Sequence, residues 1–211
     1  MARVTGPLHS DGASGKLAGA LVYSHWKGNR QYVRTLVTPL NPHAAKQVGV
    51  RAMMGYVAHL WASIKAASAA SWKTLADATS ISEFNAFVAR ALDDWQEFLF
   101  PVHAPTDDRS STPLTVTTQT CTGGVGCATI SVTPSGSTAI AGIAIFRGLT
   151  GFVPGWDKCI AILPANGASA VEWVDSPLAA GTYYYRSVVF NVDGAKGAVH
   201  AESSGTVVTA P

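Results

Sequence analysis

The chain has 211 residues, 47% of them hydrophobic and 13% charged, with a formal net charge of +2. Soluble domains ordinarily carry about 25% charged residues. So apolar a chain is short of polar surface if it stands alone, and a partner is the simplest cover for the excess. No apolar run reaches the ~18 residues of a membrane span, and residues 1–14 lack the continuous apolar stretch of a secretory signal, so neither is expected.

The charge is unevenly spread. Residues 1–60 hold seven basic side chains (Arg3, Lys16, Lys27, Arg30, Arg34, Lys46, Arg51) against Asp11 alone, whereas residues 61–211 hold eight basic and twelve acidic ones. A basic front half implies an acidic partner surface or nucleic acid. Three cysteines, Cys121, Cys127 and Cys159, make no paired framework. A Cys121–Cys127 disulfide is geometrically possible, but the odd count favours reduced thiols and cytosolic synthesis.

In chain order, residues 1–19 read as an arm, interrupted by Gly6, Pro7, Gly12, Gly15 and Gly19, either disordered or laid over a neighbour. Ala20–Trp26 and Arg30–Val37 are rich in β-branched and aromatic residues and are joined by Lys27-Gly28-Asn29, which tolerates positive φ; this predicts a β-hairpin. A lone hairpin is marginal in water and needs something to pack on. Asn41 as N-cap with Pro42 behind it opens a helix running to about Ile64, with Val48, Met53, Val57, Leu60, Trp61 and Ile64 on one face. A second helix is expected over Ala67–Ala78 with Trp72 and Leu75 inward. A third, capped by Ser82 with Glu83 in its first turn, carries the stripe Phe84, Phe87, Val88, Ala91, Leu92, Trp95 and Leu99 and is stopped by Pro101. Residues 101–113, polar and broken by prolines, read as a linker.

Beyond Pro113 the period changes to two. Seven candidate strands follow: 114–118, 128–132, 141–147, 161–163, 170–174, 182–190 and 205–209. Seven short strands in about a hundred residues is the pattern of an immunoglobulin-like sandwich. The fold class expected is therefore α+β, with a docking domain at 1–100 (arm, hairpin, three helices), a linker at 101–113 and an all-β sandwich at 114–211.

Leu178-Ala-Ala-Gly-Thr182-Tyr183-Tyr184 resembles the Leu-x-Pro-x-Thr-x-Tyr signature of fibronectin type III domains, with Ala180 in place of proline. The resemblance implies that Tyr184 is the tyrosine-corner residue, whose hydroxyl bonds back to nearby backbone. Ile143–Arg147 fits the family's central strand, and Asn191–Gly197 the turn after the Tyr184 strand. The family's early core tryptophan has no clear counterpart. In the front half, Ser14-Gly-Lys-Leu17, Trp26-Lys-Gly28, Val33-Arg34, Asn41-Pro42, Gln47 and Arg51 resemble small virion proteins of tailed bacteriophages, parts of capsid or tail. That resemblance implies a setting more than a mechanism.

Chemical motifs are weak by comparison. Gly12-Ala-Ser-Gly-Lys16 is not a phosphate loop, because Ser10 stands where the first glycine belongs and Leu17 where the magnesium-binding hydroxyl belongs. The histidines His9, His25, His43, His59, His103 and His200 lack metal-ligand spacing. Asp93-Asp94 and Asp107-Asp108 read as surface charge, since catalytic carboxylates must converge. No nucleophile elbow is present. The most functional pattern is the basic set Lys16, Lys27, Arg30, Arg34, Lys46 and Arg51, interleaved with Tyr23, Trp26 and Tyr32. Arg30, Tyr32 and Arg34 alternate and so share one strand face, and arginine suits bidentate pairing with carboxylate or phosphate. Trp156, in a predicted sandwich loop, either makes binding contacts or packs over the sheet edge.

The expectation is a non-enzymatic virion structural protein, without cofactor or metal, made in the host cytoplasm. It would be a capsid cement or decoration protein docking on the major capsid protein, as a homo-oligomer on the virion. The alternative is a tail, adaptor or fibre-anchoring protein with the sandwich as spacer or host-facing module. Protein docking is favoured over nucleic acid because the basic residues are accompanied by large apolar ones and no nucleic-acid-reading module is present.

Overall fold

The hairpin predicted around Lys27-Gly28-Asn29 forms the middle of a four-stranded antiparallel sheet. In this computed structural model the described residues are 2–3, 15–17, 20–26, 30–37, 44–106, 109, 114–135, 140–165 and 167–208. The chain divides into two compact units, 1–42 and 43–211. In the first, β3 (Leu21–Trp26) and β4 (Arg30–Thr35) form the hairpin. Two short pieces of the expected arm, β1 (Ala2–Arg3) and β2 (Gly15–Leu17), add to its edges in the order β1-β4-β3-β2. Strands of two and three residues within a glycine-broken segment leave no periodicity to read. Pairing at both edges satisfies part of the hairpin's open hydrogen-bonding rim.

The second unit opens with α1 (Ala45–Thr79), one helix of 35 residues where two were expected. Asn41 and Pro42, the predicted cap, lie outside the described residues; the helix starts at Ala45 with Ala44 as N-cap and no side-chain capping bond. Nothing between Ile64 and Ala67 breaks a helix. The buried stripe simply continues through small residues, Ile64, Ser68, Trp72, Ala76. Leu75, expected inward, is 41% exposed, because Trp72 and Ala76 take the core-facing positions. Ser80 (φ 54°) turns the chain, and Ile81 N–H donates to Ala76 O at 3.1 Å. Ser82 then caps α2 (Glu83–Gln96), accepting from Asn85 N–H at 3.3 Å, as predicted. Residues 97–100, expected inside the third helix, are instead a turn, with Phe98 at φ 60° and Leu99 N–H bonded to Asp94 O at 2.9 Å.

The seven predicted strands are β5 (Val116–Gly123), β6 (Ala128–Pro134), β7 (Ile140–Gly148), β8 (Cys159–Pro164), β9 (Val171–Asp175), β10 (Gly181–Asn191) and β11 (Ser203–Val207). They form sheets of order β11-β10-β7-β8 and β5-β6-β9, all pairs antiparallel. Three strands facing four in this order is a fibronectin type III-like sandwich. The inter-sheet core holds Ile130, Val132, Ile143, Ile145, Tyr185 and Val189. At Gly123 a Cβ would lie 1.8 Å from Thr206 O, so only glycine lets β5 and β11 approach and close that edge.

The four-stranded sheet is buried on both faces. Ala144, Phe146, Val188 and Phe190 turn away from the inter-sheet core and join Met53, Tyr56, Phe87, Trp95 and Phe100 in a second core under the helices. Phe100 stacks on Phe190 with ring centroids 4.1 Å apart, and Tyr56 meets Phe190 edge-on at 5.3 Å. The unit is thus three layers: helix pair, four-stranded sheet, three-stranded sheet. The expected linker begins inside this core, since Phe100 and Val102 are 0% and 3% exposed, and Trp72 Nε1 donates to His103 O at 2.8 Å. Arg109 pairs with Asp94 and also reaches the Phe100 carbonyl. The helices bury one face of the sandwich and share its compact unit, 43–211.

Candidate docking surface

Cross-strand register decides which residues of the first unit share a face. Lys16, Val22 and Arg34 are aligned in one row, and Arg3, Tyr32 and Ser24 in the next. Trp26 and Arg30 are paired in a third. Strand residues alternate between faces, and these rows fall at two-residue steps along β3 and β4. Lys16, Trp26, Arg30, Tyr32 and Arg34 thus occupy one face, joined there by Arg3, which the motif reading left out because β1 has no sequence signature. The intervening rows hold Gly15, Tyr23, Val33 and Ala2, then Leu17, Leu21 and Thr35, then His25 and Gln31. Tyr23 therefore stands on the opposite face from Tyr32. Arg34 is exposed and Tyr32 half-buried. Lys27 lies outside the described residues.

The remaining predicted residues belong to the second unit. Lys46 and Arg51 are exposed on α1. Trp156 is half-buried in a short 3-10 turn (Trp156–Lys158) packed on the helix-side core. A Cβ at Gly49 would lie 2.0 Å from the Trp156 carbonyl oxygen, which shows how closely that turn meets α1. Lys46 Nζ sits 5.8 Å from the Trp156 ring centroid, so these two residues are brought together.

Two polar clusters within the sandwich are hydrogen-bonded structural networks. Asp175, 7% exposed, accepts from Arg147 Nη1 at 2.6 Å and from Tyr185 Oη at 3.0 Å. Burial, then the Asp175 charge, pushes the Tyr185 phenol far above its ordinary range. Burial also raises the Cys121 thiol from an ordinary 9.0 to about 11, with Asp175 adding to the shift. Gln119 donates to Tyr185 O at 2.9 Å and to Ser203 Oγ at 2.6 Å while accepting from Ser187. The three cysteines are unbonded. Tyr184, expected as the corner tyrosine, packs toward the helices; Tyr183 Oη makes the upstream bond, to Ala179 O at 3.0 Å. The strand's alternation places residue 183, not 184, on the inter-sheet side.

An open groove of about 460 Å³ runs between α1 and the β7–β8 side of the sheet, lined by Tyr56, His59, Ser63, His103 and Ile140 among others. Tyr56 Oη is already committed to Ala141 O at 3.1 Å. Among the described residues no three His, Cys, Asp or Glu converge as a metal site, and no helix is long and apolar enough to cross a membrane.

No family model matches the sequence, and no curated protein matches it. Solved structures resemble its sandwich half. A β-1,2-glucanase from Parabacteroides distasonis aligns over 48% of this chain and 14% of its own, at 13% identity and a TM-score of 0.35. An Fn3-like protein from Clostridium thermocellum aligns over 48% of this chain and 99% of its own, at 17% identity and 0.33. The fibronectin(III)-like modules of Clostridium thermocellum CbhA align over 46% of each chain, at 13% identity and 0.32. This chain therefore spans 14% of the glucanase's length. The fibronectin type III-like fold rests on the chain's own strand order.

Proposed function

We propose that this is a non-enzymatic virion structural protein of a tailed bacteriophage, a capsid cement or decoration protein that docks on the major capsid protein through its N-terminal unit. The observation that carries this reading is the row register of the first sheet, which gathers basic and aromatic positions on one face of a unit distinct from the sandwich. Arginine with tryptophan and tyrosine is the composition of protein-binding hot spots. The front-half motifs that resemble phage virion proteins supply the setting. Many modest contacts, repeated over a shell, would stabilise it even though each association costs several kcal/mol of lost freedom.

A second reading, a tail, adaptor or fibre-anchoring protein, draws on the same division into a basic unit and a sandwich, the latter then a spacer or host-facing module. Two measurements test the function. Shells assembled with and without the protein are heated; an unchanged disruption temperature counts against cement. Copy number per particle separates the readings: hundreds of copies mean shell, a dozen or fewer mean tail.

A further inference from the structure

The cationic face has a sidedness and a partner chemistry that go beyond docking in general. We propose that the face formed by positions 3, 16, 22, 24, 26, 30, 32 and 34 is the one that docks, that its partner presents a strip of carboxylates from a protein surface, and that Tyr23 and Thr35 take no part. The proposal rests on the docking reading above.

All four basic positions of the described sheet, Arg3, Lys16, Arg30 and Arg34, fall in rows of one parity. The rows of the other parity hold no basic residue other than His25. At random each cation would fall on either face, so this segregation defines a polar face and a more apolar one. Spacing follows from strand geometry. Arg30, Tyr32 and Arg34 recur every ~6.8 Å along β4, and Arg34 and Lys16 flank Val22 across two strand spacings of ~4.8 Å each. A partner strand with Asp or Glu at alternate positions has the same ~6.8 Å repeat.

Carboxylate is favoured over phosphate by composition. Three of the four cations are arginine, and the same face holds Trp26 and Tyr32. That is the Arg-Trp-Tyr enrichment and Lys depletion of protein interfaces. A backbone-tracking nucleic-acid groove instead lines up several aromatic stacking platforms along a longer cationic path.

The test uses the full chain and two immobilised probes, poly-L-glutamate and duplex DNA, at several salt concentrations. Three proteins are compared: wild type, Arg30→Glu/Arg34→Glu on the cationic face, and Thr35→Glu on the opposite face, each checked by circular dichroism for an unchanged fold. The expected result is binding to poly-L-glutamate that weakens with salt, falls about tenfold or more in the double variant, as for charged hot spots, and stays within about twofold of wild type in Thr35→Glu, as for a residue off the interface. Tighter, equally variant-sensitive binding to DNA overturns the carboxylate assignment. Equal losses in the two variants overturn the sidedness. The phage reading fails separately: binding to poly-L-glutamate without any effect on shell stability overturns that reading and leaves the face intact.

Discussion

Trp95 shows how much of the second unit hangs on single side chains. It is 0% exposed, donates from Nε1 to Gly49 O at 3.2 Å, and lies within 6.5 Å of the rings of Phe98, Phe100 and Phe146. Trp95→Ala removes both the ring contacts and the tie to α1, and is expected to cost about 3–5 kcal/mol, read by urea denaturation. Gly49→Ala sets a methyl against the Trp156 carbonyl and is expected to cost about 1–3 kcal/mol by overpacking; an unchanged midpoint would show that α1 and the 3-10 turn are not in contact. Cys121 has its proton bound more tightly in the fold than in the open chain. Between about 9 and about 11 the native state therefore binds more protons than the unfolded one, so stability falls as pH rises through that window and is unaffected below it. Cys121 should accordingly react slowly with a thiol reagent at pH 8 in a Cys127→Ser background and faster as pH approaches 11.

Among elements, the helix layer decides whether the sandwich can exist alone. Ala144, Phe146, Val188 and Phe190 are all covered from the helix side. A chain truncated to 114–211 would expose this strip and is expected to aggregate or bind a hydrophobic dye, whereas an independent sandwich would stay soluble and unfold cooperatively. The seven strands were legible because alternation survives between turn residues, and α2 because Ser82 and a dense apolar stripe mark it. The second, helix-covered face was written in the continuous runs Ile143-Ala-Ile-Phe146 and Val188-Val-Phe190, which are too apolar for a strand with one wet side. In a free-standing sandwich these runs would leave apolar side chains wet, so they call for a cover on the second face. The continuity of α1 is not legible where Ser68 and Ala76 carry the buried stripe, since small residues do not register as apolar periodicity. Three consecutive tyrosines, Tyr183, Tyr184 and Tyr185, hide the strand's parity, and a one-residue shift exchanges the faces.

For the molecule as a whole, the division at 42/43 separates the basic unit from the layered one. Residues 1–42 hold five basic side chains against one acidic, and 43–211 ten against twelve. Deleting residues 1–42 is expected to leave the thermal unfolding of the remainder unchanged while abolishing partner binding, checked by calorimetry and co-sedimentation. The basic, aromatic character of the docking site was legible from residue types alone. Its sidedness was not: that Tyr23 opposes Tyr32, and that Arg3 and Lys16 join the arginine row, follows from pairing with edge strands of two and three residues that no sequence period announces. Lys46 and Trp156, alike in composition to the site residues, belong to the second unit and meet each other where the 3-10 turn packs on α1. The most direct measurement is the heat-disruption temperature of phage shells carrying wild-type protein or Arg30→Glu/Arg34→Glu, each at low and high salt. The cationic-face account predicts a higher temperature with wild type than with the variant, and a difference that shrinks as salt rises; equal temperatures for the two proteins at every salt concentration would contradict it.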